Sequence, residues 1–168
     1  MPMKTTPRTL RLPALAVAVL GIAATALFSG CTSASIAEMS TYEGVNAIRA
    51  AHGLPPLTPD PALLGVARTR SRDMAALSYF SHDPPDGCNY ACLLDASGYD
   101  YSWAGENIAW NTFDWAKTAT TAVQMWENSP PHMQNILNCH FERFATGVAK
   151  GDDGKVYYTM IFEGANPC

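Results

Sequence analysis

The sequence predicts an α+β domain in which helices cover both faces of a small antiparallel sheet. Near the C-terminus Val156, Tyr158, Met160 and Phe162 alternate with Tyr157, Thr159 and Ile161, so a strand there is apolar on both faces. That is the pattern of a strand buried on two sides. A turn-rich tetrad, Gly151-Asp-Asp-Gly154, joins it to a run of similar character at 144–150 and closes the two as a hairpin, the second strand spanning 155–162. Ahead of the hairpin, apolar residues recur mainly at helical spacing, which supplies the covering layers.

Residues 1–30 read as a secretory signal peptide. Lys4, Arg8 and Arg11 make a basic start, an apolar run spans 12–28, and Ser29-Gly30 precede Cys31. That run, with Pro13 near its start, falls short of the ~20 apolar residues a membrane span needs. Leu27-Phe28-Ser29-Gly30-Cys31 resembles a bacterial lipobox, with Phe28 where leucine is usual. The resemblance implies cleavage before Cys31, a diacylglyceryl group on its sulfur and anchoring at the cell envelope; the alternative is an ordinary signal peptide and a soluble secreted protein. Lipidation also accounts for an odd cysteine count: of five, setting Cys31 aside leaves four for two disulfides in an oxidising compartment. Eleven Lys and Arg less the three in the leader leave eight against fifteen Asp and Glu, a mature net charge of about −7. This excludes nucleic acid and anionic surfaces as electrostatic partners and leaves membrane attachment to the lipid.

The mature chain divides into a short lipid-anchored tether, 31–37, and one domain, 38–168. Ser40-Thr-Tyr-Glu43 has capping-box spacing, and Tyr42, Val45 and Ile48 trace a helix over 41–52 that Gly53 stops. The prolines of 54–59 make an extended connector. Asp60-Pro61 caps a second helix running to about Ser78, with Leu64, Ala67, Ser71, Met74 and Leu77 or Ser78 along one stripe. A polar loop at 81–87 precedes a short helical piece at 91–97, which ends at Gly98. A strand follows at 102–110. Asp114 caps a third long helix that buries Trp115, Ala119, Ala122, Val123 and Trp126, and Ser129-Pro130 opens a short helix through Leu137. If Lys150 pairs with Lys155 across the hairpin, Cys139 and Cys168 lie near one another beyond the strand ends; they are expected to pair, which leaves Cys88 with Cys92.

Glu106 is a charge in an otherwise apolar strand and needs a partner. Taken alone, it reads as a structural carboxylate that caps a backbone or pairs with an arginine. His82, after Ser81, and His132, after Ser129-Pro-Pro, stand in loop and helix-start settings and taken singly read as structural; His52 ends a helix, and His140 has less context still. There is no Gly-x-Ser-x-Gly elbow, no His-Glu-x-x-His zinc helix, no phosphate-binding glycine loop and no free mature cysteine. Nucleophilic catalysis is not expected.

The motifs in order, Asn46-x-x-Arg49, Gly53-Leu-Pro-Pro-Leu57, Ala67-x(6)-Met74, Tyr79-Phe-Ser-His82, Gly98-Tyr99, Gly105-Glu-Asn-Ile-Ala109, Trp126-x-x-Ser-Pro-x-His132, Asn135-Ile-Leu137 and Thr146-Gly-Val148, resemble the bacterial, SCP-domain branch of the CAP superfamily from about Met39 to Gly164. That superfamily comprises cysteine-rich secretory proteins, antigen 5 and pathogenesis-related 1 proteins. The resemblance implies a three-layer α-β-α sandwich with a central cleft, in which two histidines and up to two glutamates hold a divalent metal such as zinc. Position by position, the cleft residues are His82, Glu106 and His132, with His82 and His132 as the metal ligands. The second glutamate of the family falls at Ser129; Glu127 points elsewhere on the helix and is not carried over.

Three functions follow from the resemblance. The first is a lipid-anchored binding module for a small hydrophobic or extended ligand, a lipid or sterol included, beside Tyr101, Trp103 and Trp110. The second is a metal-dependent hydrolase or peptidase with Glu106 as general base. The third is an envelope or host interaction protein with a vestigial cleft. The binding module is the leading expectation, and catalysis is not.

Overall fold

The computed structural model describes residues 32–165 and Cys168. The expected signal peptide and the expected lipidation site, Cys31, lie outside the described residues. Helix α1 runs Ser33–Ala51, eight residues earlier than the capping-box spacing places it. Thr32 is the cap, its hydroxyl accepting from the Ser35 amide at 3.1 Å, whereas the Ser40 hydroxyl donates back to Ile36 O at 3.0 Å. Ala37 is buried and Ala34 packs against the same core, so burial extends the helix through residues expected as a tether.

Strand β1, Thr58–Pro59, lies within the proline-rich connector and pairs in parallel with β3, Arg143–Lys150. The sheet is therefore mixed rather than wholly antiparallel. Two bonds fix the short strand, Thr58 N to Glu142 O at 2.8 Å and Asp60 N to Phe144 O at 3.0 Å, so an edge position accommodates Pro59. Helix α2, Pro61–Leu77, is capped by Asp60, whose Oδ1 accepts from Ala62 N and Leu63 N. Its buried stripe is Leu63, Val66, Ala67, Arg70, Ser71, Met74 and Ala75; Leu77 is exposed and Leu64 only partly buried, one position off the expected stripe.

Helix α3, Tyr90–Ala96, and strand β2, Trp103–Asn111, fall where the sequence places them. Helix α4, Thr118–Glu127, starts four residues after Asp114, which caps a preceding turn instead. Asn111 sets the later start: it accepts from the Thr118 hydroxyl at 2.7 Å and donates to Thr118 O at 3.0 Å, fastening the helix to the end of β2. Helix α5, Pro130–Ile136, follows, with Ser129 in the capping conformation but making no side-chain cap bond. Strand β4, Val156–Gly164, completes a sheet of order β1-β3-β4-β2. In the hairpin Lys150 pairs with Val156 rather than Lys155, one residue from the expected register.

Both faces of β4 are covered. Val156, Tyr158, Met160 and Phe162 pack with Val45 and Ile48 of α1 and with Ala119, Ala122, Val123 and Trp126 of α4. On the other face Ile161 meets Leu63, Val66 and Ala67 of α2, and Tyr157 meets Met74. The result is the expected three-layer α-β-α sandwich. Helix α2 presses so closely on β3 that a β-carbon on Gly147 would come within 2.3 Å of the Ala67 carbonyl carbon and Arg68 nitrogen, and the Ser71 hydroxyl bonds Gly147 O at 2.8 Å. Both expected disulfides are present, with Cα–Cα separations of 5.2 Å for Cys88–Cys92 and 5.4 Å for Cys139–Cys168.

Candidate functional site

Strand β2 is an edge of the sheet, and Glu106 points from it toward α2, its side chain 1% exposed. Its Oε2 accepts from Arg70 Nε at 3.1 Å, and its Oε1 lies 2.7 Å from His82 Nδ1. Arg70 occupies the buried stripe of α2, where the helical period calls for an apolar residue. The remaining donors of its guanidinium go to Tyr79 Oη at 2.7 Å, Ser81 O at 2.7 Å and His82 O at 3.2 Å. Tyr79 in turn donates to Asp73 Oδ2 at 2.5 Å. One buried cation thus neutralises Glu106 and also holds the backbone that carries His82. Burial works against the Arg70 charge, but the field of Glu106 and its hydrogen bond outweigh that and raise its pKa. Tyr79 is pushed up to about 12, first by burial and then by the bond to Asp73.

His132 approaches from the other side, on α5. Asn107, fully buried, donates to His132 O at 3.0 Å; Asn135 donates to Asn107 Oδ1 at 2.8 Å and to Glu106 O at 3.2 Å. Trp126 Nε1 bonds Ile108 O at 3.1 Å, so side-chain donors satisfy alternate carbonyls of the β2 edge and cover it. Gly105 makes room for this docking, since a β-carbon there would stand 3.0 Å from Phe141 and 3.2 Å from Asn135 Oδ1. Arg49, buried and with no carboxylate partner among the described residues, clamps the end of α5 through Ile136 O at 2.8 Å and Asn138 O at 3.0 Å. His132 Nδ1 is buried with no hydrogen-bond partner. Burial first, and the neighbouring charge of His82 second, lower the His132 pKa and favour the neutral ring.

The chemistry of the site follows from which atoms are committed. Each oxygen of Glu106 has one partner, Oε2 the Arg70 guanidinium and Oε1 the His82 ring, so the carboxylate is held in place by both. His82 Nδ1 faces Glu106 Oε1, which leaves Nε2 as the outward nitrogen of a side chain that is 52% exposed. The structure therefore brings His82 and Glu106 into contact and His132 nearby, but the three do not place three ligand atoms within 4.8 Å of one another. Among the described residues the group that does is Cys139, His140 and Cys168, whose sulfurs are joined in a disulfide and offer no thiolates.

The aromatic residues expected around the cleft lie apart. Trp103 stacks on His140 with ring centroids 4.1 Å apart, Trp110 lies under the Lys155 ammonium at 4.8 Å, and Tyr101 bonds Asp95 at 3.1 Å. Trp103 and Trp110 belong to opposite faces of β2 and are about 23 Å apart at ~3.3 Å per residue. Glu127 is exposed and lines a groove against α1 with Ala47, Ile48 and Ala51, away from the histidines. Sequence reasoning missed Arg70, Tyr79 and Asp73. The available signal was an arginine at a stripe position of a buried helix.

A three-layer sandwich with a Glu–His pair at the edge of its sheet is the arrangement expected of a CAP domain. The chain belongs to the cysteine-rich secretory protein (CAP) family, whose sequence model matches residues 42–162. It is 36% identical to the Bacillus subtilis protein YkwD over 122 residues, 73% of this chain and 46% of that protein. To the Bacillus subtilis membrane protein YlbC it is 34% identical over 125 residues, 74% of this chain and 34% of that one. Among solved structures, an extracellular SCP-domain protein from Bacillus anthracis superposes with a TM-score of 0.66 at 33% identity, covering 76% of this chain and 40% of that one. The chain thus spans less than half the length of each of these relatives.

Proposed function

We propose that this is an exported binding module, anchored through lipid at Cys31, whose groove between His82 and His132 captures its ligand with the help of a divalent cation such as zinc. The observation that carries this reading is the commitment of Glu106: one oxygen on Arg70 and the other on His82 Nδ1. A carboxylate behind an imidazole fixes the tautomer and raises the basicity of the outward nitrogen, the arrangement that supports a histidine ligand. The partnerless Nδ1 of His132 supports the same reading, because a buried imidazole nitrogen without a bond is costly unless something takes it. By ligand type, imidazole nitrogens suit zinc, and two imidazoles with one carboxylate and water would make an acceptable open site. A bound cation would supply a Lewis-acid anchor for an oxygen of the ligand; His82 and His132 would hold it and Glu106 would orient His82.

The same commitment weighs against a hydrolase, which would need Glu106 to take a proton from water. The exported location rests on the leader pattern and on the extracellular setting named for the Bacillus anthracis relative. Among the described residues no helix is long and apolar enough to cross a membrane. Zinc titration of the wild type beside His82→Ala and His132→Ala, followed by lipid and peptide screens, tests the groove. If neither substitution changes zinc affinity, the metal reading is wrong; if a peptide is cut, so is the binding-module reading. Palmitate labelling that persists in Cys31→Ser contradicts the anchor.

A further inference from the structure

Helix α1 begins where the lipid would end. Thr32, its cap, is the residue after Cys31, and the first helical residue is Ser33, so the described chain leaves no tether between the two. The solvent-facing side of α1 carries Ile36, Met39, Glu43, Ala47 and Ala50, because the opposite side buries Ala37, Glu38, Thr41, Val45 and Ile48. Ile36 is 54% and Met39 56% exposed, and at a spacing of three they share one face in the first two turns. Beyond them the stripe turns charged at Glu43 and then small. The apolar part of this face is the part next to Cys31.

We infer, resting on the lipid anchor proposed above, that Ile36 and Met39 dock into the membrane surface beside the acyl chains and hold the domain flat against the bilayer. At 1.5 Å per residue Ile36 lies about 6 Å and Met39 about 10.5 Å along the helix from Thr32, so both stay within two turns of the proposed acyl anchor. The partner is a lipid surface recognised by apolar contact. A mature charge of about −7 gives the domain no electrostatic attraction to anionic headgroups. The proposed acyl anchor lies one residue before the cap of α1, so the bilayer is the surface that these two side chains would meet first.

Methionine oxidation reads this directly. Met125, on α4, is 42% exposed and serves as an internal reference. The full-length lipoprotein is purified, its intact mass checked for acyl groups, and reconstituted into phosphatidylethanolamine/phosphatidylglycerol vesicles. It is then treated with dilute hydrogen peroxide and sulfoxide formation is followed at both methionines by peptide mass. Docking predicts that Met39 oxidises at least fivefold more slowly than Met125, although it is the more exposed in the folded domain, and that Ile36→Glu restores its rate. If Met39 keeps pace with Met125 in protein whose mass carries the acyl groups, or stays protected in Ile36→Glu, the docking inference is overturned while the anchor stands. A mature mass without acyl groups overturns the anchor and the docking together.

Discussion

Arg70 Nε stands 3.1 Å from Glu106 Oε2, and each side chain is 1% exposed. A pair this deeply buried was taken out of water at considerable cost, and each charge depends on the other. The same guanidinium bonds the carbonyls of Ser81 and His82, so the ion pair and the position of the first cleft histidine are one structural unit.

Removing either partner alone strands a buried charge. Arg70→Met or Glu106→Leu is expected to destabilise the domain by about 3–5 kcal/mol, and the double substitution by less than the sum of the two. Urea denaturation of the two singles and the double gives the coupling. Additive losses would show that the two groups act independently.

Tyr79 links this unit to alkaline pH. Its pKa is about 12 in the folded domain against about 10 when unfolded, so the unfolded chain releases the phenolic proton first as pH rises. The stabilising contribution is fully present below pH 10 and disappears between about pH 10 and 12. Melting temperature should fall over that window, and Tyr79→Phe, which cannot ionise, should flatten its share of the fall.

Gly147 tests the close approach of α2 that delivers Arg70 to the site. Alanine there places a methyl group 2.3 Å from helix backbone, which a side-chain rotation cannot relieve. Gly147→Ala is expected to cost about 2 kcal/mol or more, as overpacking against a fixed element does. Unchanged stability would mean that α2 stands off the sheet.

How much was legible depended on whether a feature was local. The hairpin, α2, α3 and β2 follow from alternation, caps and turns, because each is written in a few neighbouring residues; Cys139–Cys168 was legible through the hairpin that brings its ends together, and Cys88–Cys92 as the pair that remained. Three features were not local. Helix α1 extends back to Ser33 because Ala34 and Ala37 pack on a distant core, β1 exists only because β3 lies beside it, and α4 waits for Thr118 because Asn111 reaches it. The site divides in the same way. Glu106, His82 and His132 were named as cleft residues from setting and resemblance, and the possibility that Glu106 pairs with an arginine was open; which arginine depended on α2 crossing β2's neighbours.

The disulfides should differ in weight. Cys139–Cys168 spans 29 residues and Cys88–Cys92 only four. Loop-closure entropy assigns the first about 3.6 kcal/mol and the second about 2. Serine pairs at each bridge, compared by thermal melts, should show the larger loss at 139 and 168; the reverse order would place the stabilisation elsewhere.

Asn107 fixes α5, and with it His132. Asn107→Ala removes the donor to His132 O and the acceptor for Asn135, at an expected cost of about 1–3 kcal/mol with the fold retained. Hydrogen exchange should speed up in α5 while α2 stays protected. Protection of α5 unchanged between wild type and Asn107→Ala would relieve Asn107 of that role.

Glu106 as an orienting group, rather than a base or ligand, is tested by calorimetric titration of zinc into the wild type, Glu106→Gln, and His82→Ala. We expect one site in the wild type, the same stoichiometry with about 10–100-fold weaker binding in Glu106→Gln, and no binding in His82→Ala. Wild type that takes up no zinc, or a Glu106→Gln variant that binds as tightly as the wild type, would contradict the account.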